Sequence, residues 1–433
     1  SSVGHNLTSS PRSSSRPTAG ALRVLPAVQP EPEPQPAPMS SEPEPQPAPM
    51  AAWLHKDPHW APLARILRED GEDVGRVSGC SVYDSDSKLL SCNDAGCLRI
   101  WDLNTGDVLD KEAAGHAGGV RACRAFRLTD GRDFAVSCGA DCELKVWDLS
   151  GDKFTLICST TEAHKKTIND CSVHSSDGET YLLTGSADST LKVWKLDGNQ
   201  LKEQPSPPKA HKGDVICCQL FQGPDGGLKA LSGAKDNKLC VWSIPTGSDS
   251  ADAEPSVDMV LKGHSGLIYG CSVSPDGRRA FSCSGDRKAK YWELATGRCL
   301  QTMEDDSQVN SCHILPAGKS GTPLGVTCSN ESVSMWDLTS GEKIRVLYGH
   351  SGPVMFCYPY AEGTKLITCG TQKLRVLDLT AQISDVEINT KSEDSLALTA
   401  RIYEQADTSA DGNLDKNEIE ELLTGMGRKE FDI

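Results

Sequence analysis

The stretch ELKVWDL (143–149) alternates apolar and polar side chains around a tryptophan, the period-two pattern of a β-strand with one covered face. The same run returns along the chain as CLRIWDL (97–103), TLKVWKL (190–196), KLCVWSI (238–244), KAKYWEL (288–294), SVSMWDL (332–338) and KLRVLDL (373–379). The key positions Trp101, Trp147, Trp194, Trp242, Trp292, Trp336 and Leu377 are 46, 47, 48, 50, 44 and 41 residues apart. Turn residues such as SSDG and SPDG separate the runs.

A second signature runs in phase with the first. A β-branched residue is followed three places later by cysteine: Val77 and Cys80, Val120 and Cys123, Ile168 and Cys171, Val215 and Cys218, Ile268 and Cys271, Val309 and Cys312, Val354 and Cys357. The next strand carries Cys92, Cys138, Cys283, Cys328 or Cys369 at one equivalent place, with Gly185 and Gly233 in the other two units. Cysteine exchanging with glycine marks a site that must be small, so packing rather than redox or metal chemistry is expected of this set. A period in the forties with four short strands per unit describes a propeller blade.

On these two registers, residues 62–380 resemble a WD-repeat β-propeller with seven blades. The resemblance implies four-stranded antiparallel blades around a central channel. It also implies closure by a strand from the N-terminal side, here PLARILR (62–68) added to the blade that contains LRVLDL (374–379). Two insertions, DGNQLKEQPSPPK (197–209) and PTGSDSADAEPSVD (245–258), are expected between third and fourth strands on one rim. The second is acidic and suits a basic partner.

Four units also carry His, Ser or Thr, Asp and Trp at matching places: His116, Ser137, Asp141, Trp147; His164, Thr184, Asp188, Trp194; His211, Ser232, Asp236, Trp242; His264, Ser282, Asp286, Trp292. Ser, His and Asp are the cast of a hydrolase triad. Here the indole can donate to the hydroxyl, the hydroxyl to the imidazole, and the imidazole to the carboxylate, which satisfies buried polar groups instead. Units 1 and 6 have Asp73 and Asp305 at the histidine place, unit 1 has Ala95 at the aspartate place, and unit 7 keeps His350 and Thr368 but has Gln372 and Leu377. These units are expected to be looser, each missing network costing on the order of a kilocalorie or two.

The formal net charge of −16 gives no electrostatic reason to bind nucleic acid. No run of about 18 apolar residues suggests a membrane span. Residues 1–52 read as a disordered, low-complexity Pro/Ser-rich tail in which EPEPQPAPM occurs at 31–39 and again at 42–50, a stiff spacer or a ligand for a proline-binding module. Residues 1–30 hold three arginines and no acid, so organelle targeting stands as the alternative to a cytoplasmic location. Met39 and Met50 are candidate starts.

Near the other end stands DTSADGNLDKNE (407–418), which resembles an EF-hand calcium loop. The resemblance implies metal ligands from Asp407, Ser409, Asp411, Asn413 (by its carbonyl), Asp415 (through water) and Glu418 (bidentate), with Gly412 at the sharp turn. Hard oxygen donors with a bidentate Glu suit Ca²⁺ rather than Mg²⁺. Helical patterns flank the loop at 395–406 and 416–426, so 392–433 is expected to be a single EF-hand helix-loop-helix. No second loop is present to cover its apolar face of Ile419, Leu422, Leu423 and Met426. That face would dock on the propeller, a second copy or another protein.

The fold class expected is therefore mainly β: a seven-bladed propeller with a disordered N-terminal tail and a small helical tail. The function expected is a non-enzymatic scaffold that binds other proteins through rim and loops and Ca²⁺ through its tail. The alternatives are a constitutive structural adaptor with a non-functional loop and, behind it, an enzyme.

Overall fold

The computed structural model describes residues 63–67, 76–112, 115–176, 178–246, 253–316, 321–330, 332–347, 350, 352–370 and 374–379. They form seven four-stranded antiparallel sheets. Six are consecutive meanders. The seventh combines Phe356–Tyr360, Lys365–Cys369 and Leu374–Asp378 with Leu63–Leu67, so the closing strand comes from the N-terminal side as expected. Its register runs from Leu63 opposite Leu377 to Leu67 opposite Leu374. This pairing covers an edge that would otherwise be left unpaired.

The sequence pattern suggests strands buried on one face, and the structure corrects this. In the third strand of blade 2, Trp147 and Leu149 pack with Leu90, Ile100 and Val120 on the side of blade 1. Leu144 packs with Ile168, Leu182 and Trp194 on the side of blade 3. Each blade lies between two neighbours, so its middle strands are covered on both faces, and in Leu144–Asp148 only Lys145 and the terminal Asp148 keep partial exposure. Trp101, Trp194, Trp242 and Trp292 are wholly buried in such interfaces. Each is a side chain whose truncation to alanine costs about 3–5 kcal/mol.

The insertion at 197–209 also departs from expectation. It contains the fourth strand of its blade, Gln200–Glu203, rather than preceding it. Leu196 pairs with Leu201 and Asp197 with Gln200, leaving the two-residue turn Gly198-Asn199 with Gly198 at φ +57°. A two-residue turn needs left-handed backbone, which glycine adopts at little cost. The segment 204–214 then leads to the next blade. The second insertion follows the third strand, Lys238–Ser243, as expected, but its last three residues already open the fourth, Ser256–Lys262.

In blades 1 to 5 the inner strand carries a register shift at its start: Val77/Gly79, Val120/Ala122, Ile168/Asp170, Val215/Cys217 and Ile268/Gly270. Such bulges re-aim a side chain. The intervening residues, among them Ser78, Arg121, Asn169 and Tyr269, line the central channel.

Candidate functional site

The four His–Ser/Thr–Asp–Trp sets assemble as continuous hydrogen-bond chains. In blade 2 the Trp147 indole donates to Ser137 Oγ at 2.8 Å, Ser137 donates to His116 Nε2 at 2.7 Å, and His116 Nδ1 donates to Asp141 at 2.9 Å. In blade 3 the steps are 3.0 Å from Trp194 to Thr184, 2.8 Å from Thr184 to His164, and 3.1 Å from His164 to Asp188. Blade 4 links Trp242, Ser232, His211 and Asp236 at 2.9, 2.8 and 3.1 Å. Blade 5 links Trp292, Ser282, His264 and Asp286 at 2.9, 2.8 and 2.9 Å.

Each aspartate also accepts the amide of the residue after its histidine, from Ala117, Lys165, Lys212 and Ser265. The loop that enters a blade is thereby tied to the turn between its second and third strands. Burial depresses the pKa of all four histidines despite the neighbouring carboxylates, so the imidazoles are neutral. For Asp141 and Asp286 burial works upward but is outweighed by the histidine and backbone donors. Asp188, which gains a further bond from Thr190, is lowered to about 2.

These chains are unsuited to catalysis. Ser137, Thr184, Ser232 and Ser282 have 0% exposure, so no substrate carbonyl reaches them. They are structural, and one can be tested directly. Asp286→Ala leaves His264 Nδ1 and the Ser265 and Lys288 amides without their acceptor. The expected cost is about 2 kcal/mol in urea unfolding; a loss below about 0.5 kcal/mol would remove the network from the stability account.

The incomplete units keep parts of the chain. In blade 1 Trp101 donates to Ser91 at 2.8 Å. In blade 6 Trp336 donates to Thr327, and Thr327 reaches Asp305, which stands at the histidine place. In blade 7 Thr368 and His350 are 2.8 Å apart, while Leu377 is buried as an apolar substitute for tryptophan. Asp73 and Gln372 lie outside the described residues.

What sequence reading did not find is a second ring of contacts around the channel, a cavity of about 590 Å³. The residue four places after each β-branched position faces it: Ser81, Arg124, Ser172, Gln219, Ser272, His313 and Tyr358. Four of them accept a backbone amide from the next blade. Ala125 donates to Ser81, Leu220 to Ser172, Val273 to Gln219 and Ile314 to Ser272. Asn169, at the bulge of blade 3, and Asn310, just before the inner strand of blade 6, donate to the Val215 and Val354 carbonyls of the following blade.

Arg124 is the exception in this ring. It spans from blade 2 to Asp170 of blade 3 at 3.0 Å, and Asp170 accepts the Cys218 amide of blade 4 at 2.9 Å. Burial pushes the Asp170 carboxyl up, opposed by Arg124 and two backbone donors. Burial also works against the Arg124 charge, but Asp170 and the smaller pulls of neighbouring groups together outweigh it and keep the guanidinium protonated. Across the channel His313 meets Phe356 edge-on at 5.6 Å, and Arg124 lies 5.7 Å from the same ring. Burial, with Arg124 second, lowers the His313 pKa to about 3.

The expected calcium ligands Asp407, Ser409, Asp411, Asn413, Asp415 and Glu418, and the whole span 392–433, lie outside the described residues, as does the tail at 1–52. Among the described residues no group of three or more His, Cys, Asp or Glu is placed to hold a metal ion.

Seven four-stranded blades, tryptophan-capped hydrogen-bond chains and a polar channel define a seven-bladed β-propeller. Residues 109–148, 156–195 and 256–293 match the model of the WD domain, G-beta repeat. The matched units begin in the outer strand of one blade and end in the third strand of the next, the offset that makes strand closure necessary. The chain is 28% identical over 169 residues to nuclear distribution protein PAC1 of Arthroderma otae, covering 36% of this chain and 33% of that one. It is 25% identical over 211 residues to pre-mRNA-processing factor 19 homolog 2 of Arabidopsis thaliana, covering 46% and 39%. It is 28% identical over 145 residues to the U5 small nuclear ribonucleoprotein 40 kDa protein of Dictyostelium discoideum, covering 34% and 38%. The matches thus span less than two-fifths of these relatives' lengths.

Proposed function

We propose that the chain is a non-enzymatic, calcium-binding scaffold of the cytoplasm, its propeller engaging other proteins through rim loops and its tail binding Ca²⁺. The observation that carries the calcium half is the order of donors in DTSADGNLDKNE, with oxygens at places one, three, five, seven, nine and twelve and Gly412 at six. Asp407, Ser409, Asp411, Asn413, Asp415 and Glu418 would hold the ion. The ion would supply a fixed positive centre that draws the two flanking helical segments into one orientation.

The scaffold half is supported by the burial of every tetrad hydroxyl and by the rigid frame that carries the connecting loops. One relative is by name a component of a ribonucleoprotein particle, which agrees with a part played inside an assembly. The eighteen cysteines are all unbridged, as suits a reducing compartment.

Isothermal titration of the full chain with Ca²⁺ is expected to give one site in the micromolar range or weaker. Asp407→Ala with Glu418→Gln should weaken it at least 100-fold. Undiminished uptake by the double variant would reject the site. Absence of uptake by the parent chain would leave the constitutive adaptor as the correct description. Size-exclusion profiles with calcium and with chelator then report whether the tail's apolar face changes partner.

A further inference from the structure

The repeat-phase cysteines do not meet within a blade; they meet between blades. Cys369 of blade 7 approaches Cys80 of blade 1 with the sulfurs 3.6 Å apart. The same second-strand to inner-strand relation brings Cys92 against Cys123, Cys138 against Cys171, Cys283 against Cys312 and Cys328 against Cys357. Cys92 and Cys123 both direct their thiols at the Gly79 carbonyl, at 3.5 and 3.7 Å. Where blade 4 has Gly233, a Cβ would stand 2.8 Å from Cys217 Sγ, and Cys217 pairs with Cys271 instead. At the junction of blades 3 and 4, Gly185 faces Val215 and Cys218, and no thiol pair forms. Six of the seven junctions therefore hold two sulfurs in contact, all unbridged.

One junction differs from the rest. Adjacent blades elsewhere are joined by the chain itself, whereas blade 7 and blade 1 are held together by the strand Leu63–Leu67. Leu67 of that strand, 1% exposed, packs in one apolar cluster with Cys80, Cys369, Leu374 and Val376. The thiol pair thus lies beneath the closure. Local opening takes place at the least stable joins, and Leu63–Leu67 is the one outer strand among the described residues held by a sequence-distant partner, Leu374–Asp378, rather than by a hairpin turn.

We propose that Cys80 and Cys369 are a peroxide-oxidisable dithiol whose disulfide locks the ring at its closure, and that this pair oxidises before the other five. Closed, both sulfurs are buried away from any oxidant, and burial holds the Cys80 thiol protonated, so the pair is inert. Lifting of the closing strand admits water and hydrogen peroxide. One thiolate sulfur attacks a peroxide oxygen, the O–O bond breaks, and a sulfenic acid and water result. When the ring recloses, the partner thiolate attacks the sulfenic sulfur, the S–O bond breaks and hydroxide leaves as water. Two sulfurs lose two electrons in all, and one peroxide is reduced to two waters. The cross-link encloses 289 residues of sequence separation, so it removes much freedom from the opened and unfolded states. The latch records opening: a propeller that stays shut keeps its thiols.

The test treats the full chain with hydrogen peroxide, caps remaining thiols with N-ethylmaleimide and maps peptides without reduction. The partly exposed Cys142, Cys158 and Cys299 report that the oxidant acted. The expected result is a Cys80–Cys369 linked peptide that precedes any other cross-link and forms faster in urea below the unfolding range. A rise in Tm of about 5 °C or more, reversed by dithiothreitol, should accompany it. Cys369→Ala should abolish both; glycine at the sister positions 185 and 233 shows that the repeat accepts a small residue there. Should that variant fail to fold, Cys80→Ala and the cross-link order in the parent chain decide the matter. Recovery of Cys80 and Cys369 as capped thiols while Cys142 and Cys158 are oxidised would overturn the proposal. So would prior linkage of Cys92 to Cys123 or of any other pair.

Discussion

Replacing Asp170 with alanine should cost the propeller about 3–5 kcal/mol, one of the largest single-site losses available in this chain. The carboxylate joins three blades. It receives Arg124 from blade 2, sits in the inner strand of blade 3, and receives the Cys218 amide of blade 4. It also accepts the Cys171 amide within its own strand. Its side chain is 12% exposed and that of Arg124 is 23% exposed, so neither charge is freely solvated. Alanine would leave Arg124 charged beside the Phe356 ring, with no carboxylate in reach, and two amides without acceptors. The pair is not thereby a net source of stability, because burial alone pushes Asp170 towards its neutral form. That distinction gives the test its shape. Arg124→Met and Asp170→Ala should each destabilise strongly, while the double variant Arg124→Met with Asp170→Ala should lose less than the sum by about 2 kcal/mol. Urea unfolding of the four proteins measures this, and additive losses would show that the two side chains act independently.

The blades, their number and the closing strand were legible in the sequence because each rests on a local, repeated signal. Trp147 and its counterparts mark the third strand, and Val120 with Cys123 and their counterparts mark the inner one. The tetrads were legible for the same reason, four copies of one hydrogen-bonding sequence of side chains. The ring around the channel was not. Ser81, Gln219 and Ser272 share a repeat position but not a residue type, since any short acceptor can take an amide from the next blade. A position that varies in chemistry while keeping one geometric task leaves little trace in a single chain. The thiol pairs escaped for a different reason. Cys92 and Cys123 belong to different repeats, and spacing within one repeat says nothing of what lies across a blade interface. The fourth strand at Gln200–Glu203 was hidden by its polar composition. An outermost strand meets water along much of its length, so it needs no apolar pattern beyond Leu201.

The same buried histidines that make the tetrads poor catalysts should make the propeller acid-sensitive well above the carboxylate range. His116, His164, His211 and His264 have depressed pKa values in the folded chain, with burial the leading cause, and His313 falls to about 3. Unfolded histidine titrates near 6.5. Below that pH the unfolded chain takes up protons that the folded chain refuses, so stability is fully present above about pH 6.5 and is lost as pH falls towards the folded values. His313, which falls to about 3, contributes a limiting slope of about 1.4 kcal/mol per pH unit below about pH 6.5, and the four tetrad histidines and His174, all lowered chiefly by burial, add to the loss in the same direction. The lowered carboxyls of Asp141, Asp188 and Asp286 add their loss only below about pH 4, where protonation of the unfolded aspartates begins. The order of these windows separates the causes. Unfolding free energy followed by urea titration between about pH 7 and pH 5 should fall steeply, with proton uptake on unfolding in that interval. His313→Phe removes one titrating group without touching a tetrad, and should make the slope shallower by about 1.4 kcal/mol per pH unit. A stability that stays level down to pH 5 would mean that the folded tetrads accept protons on Nε2, with the serine and threonine hydroxyls turning to receive them.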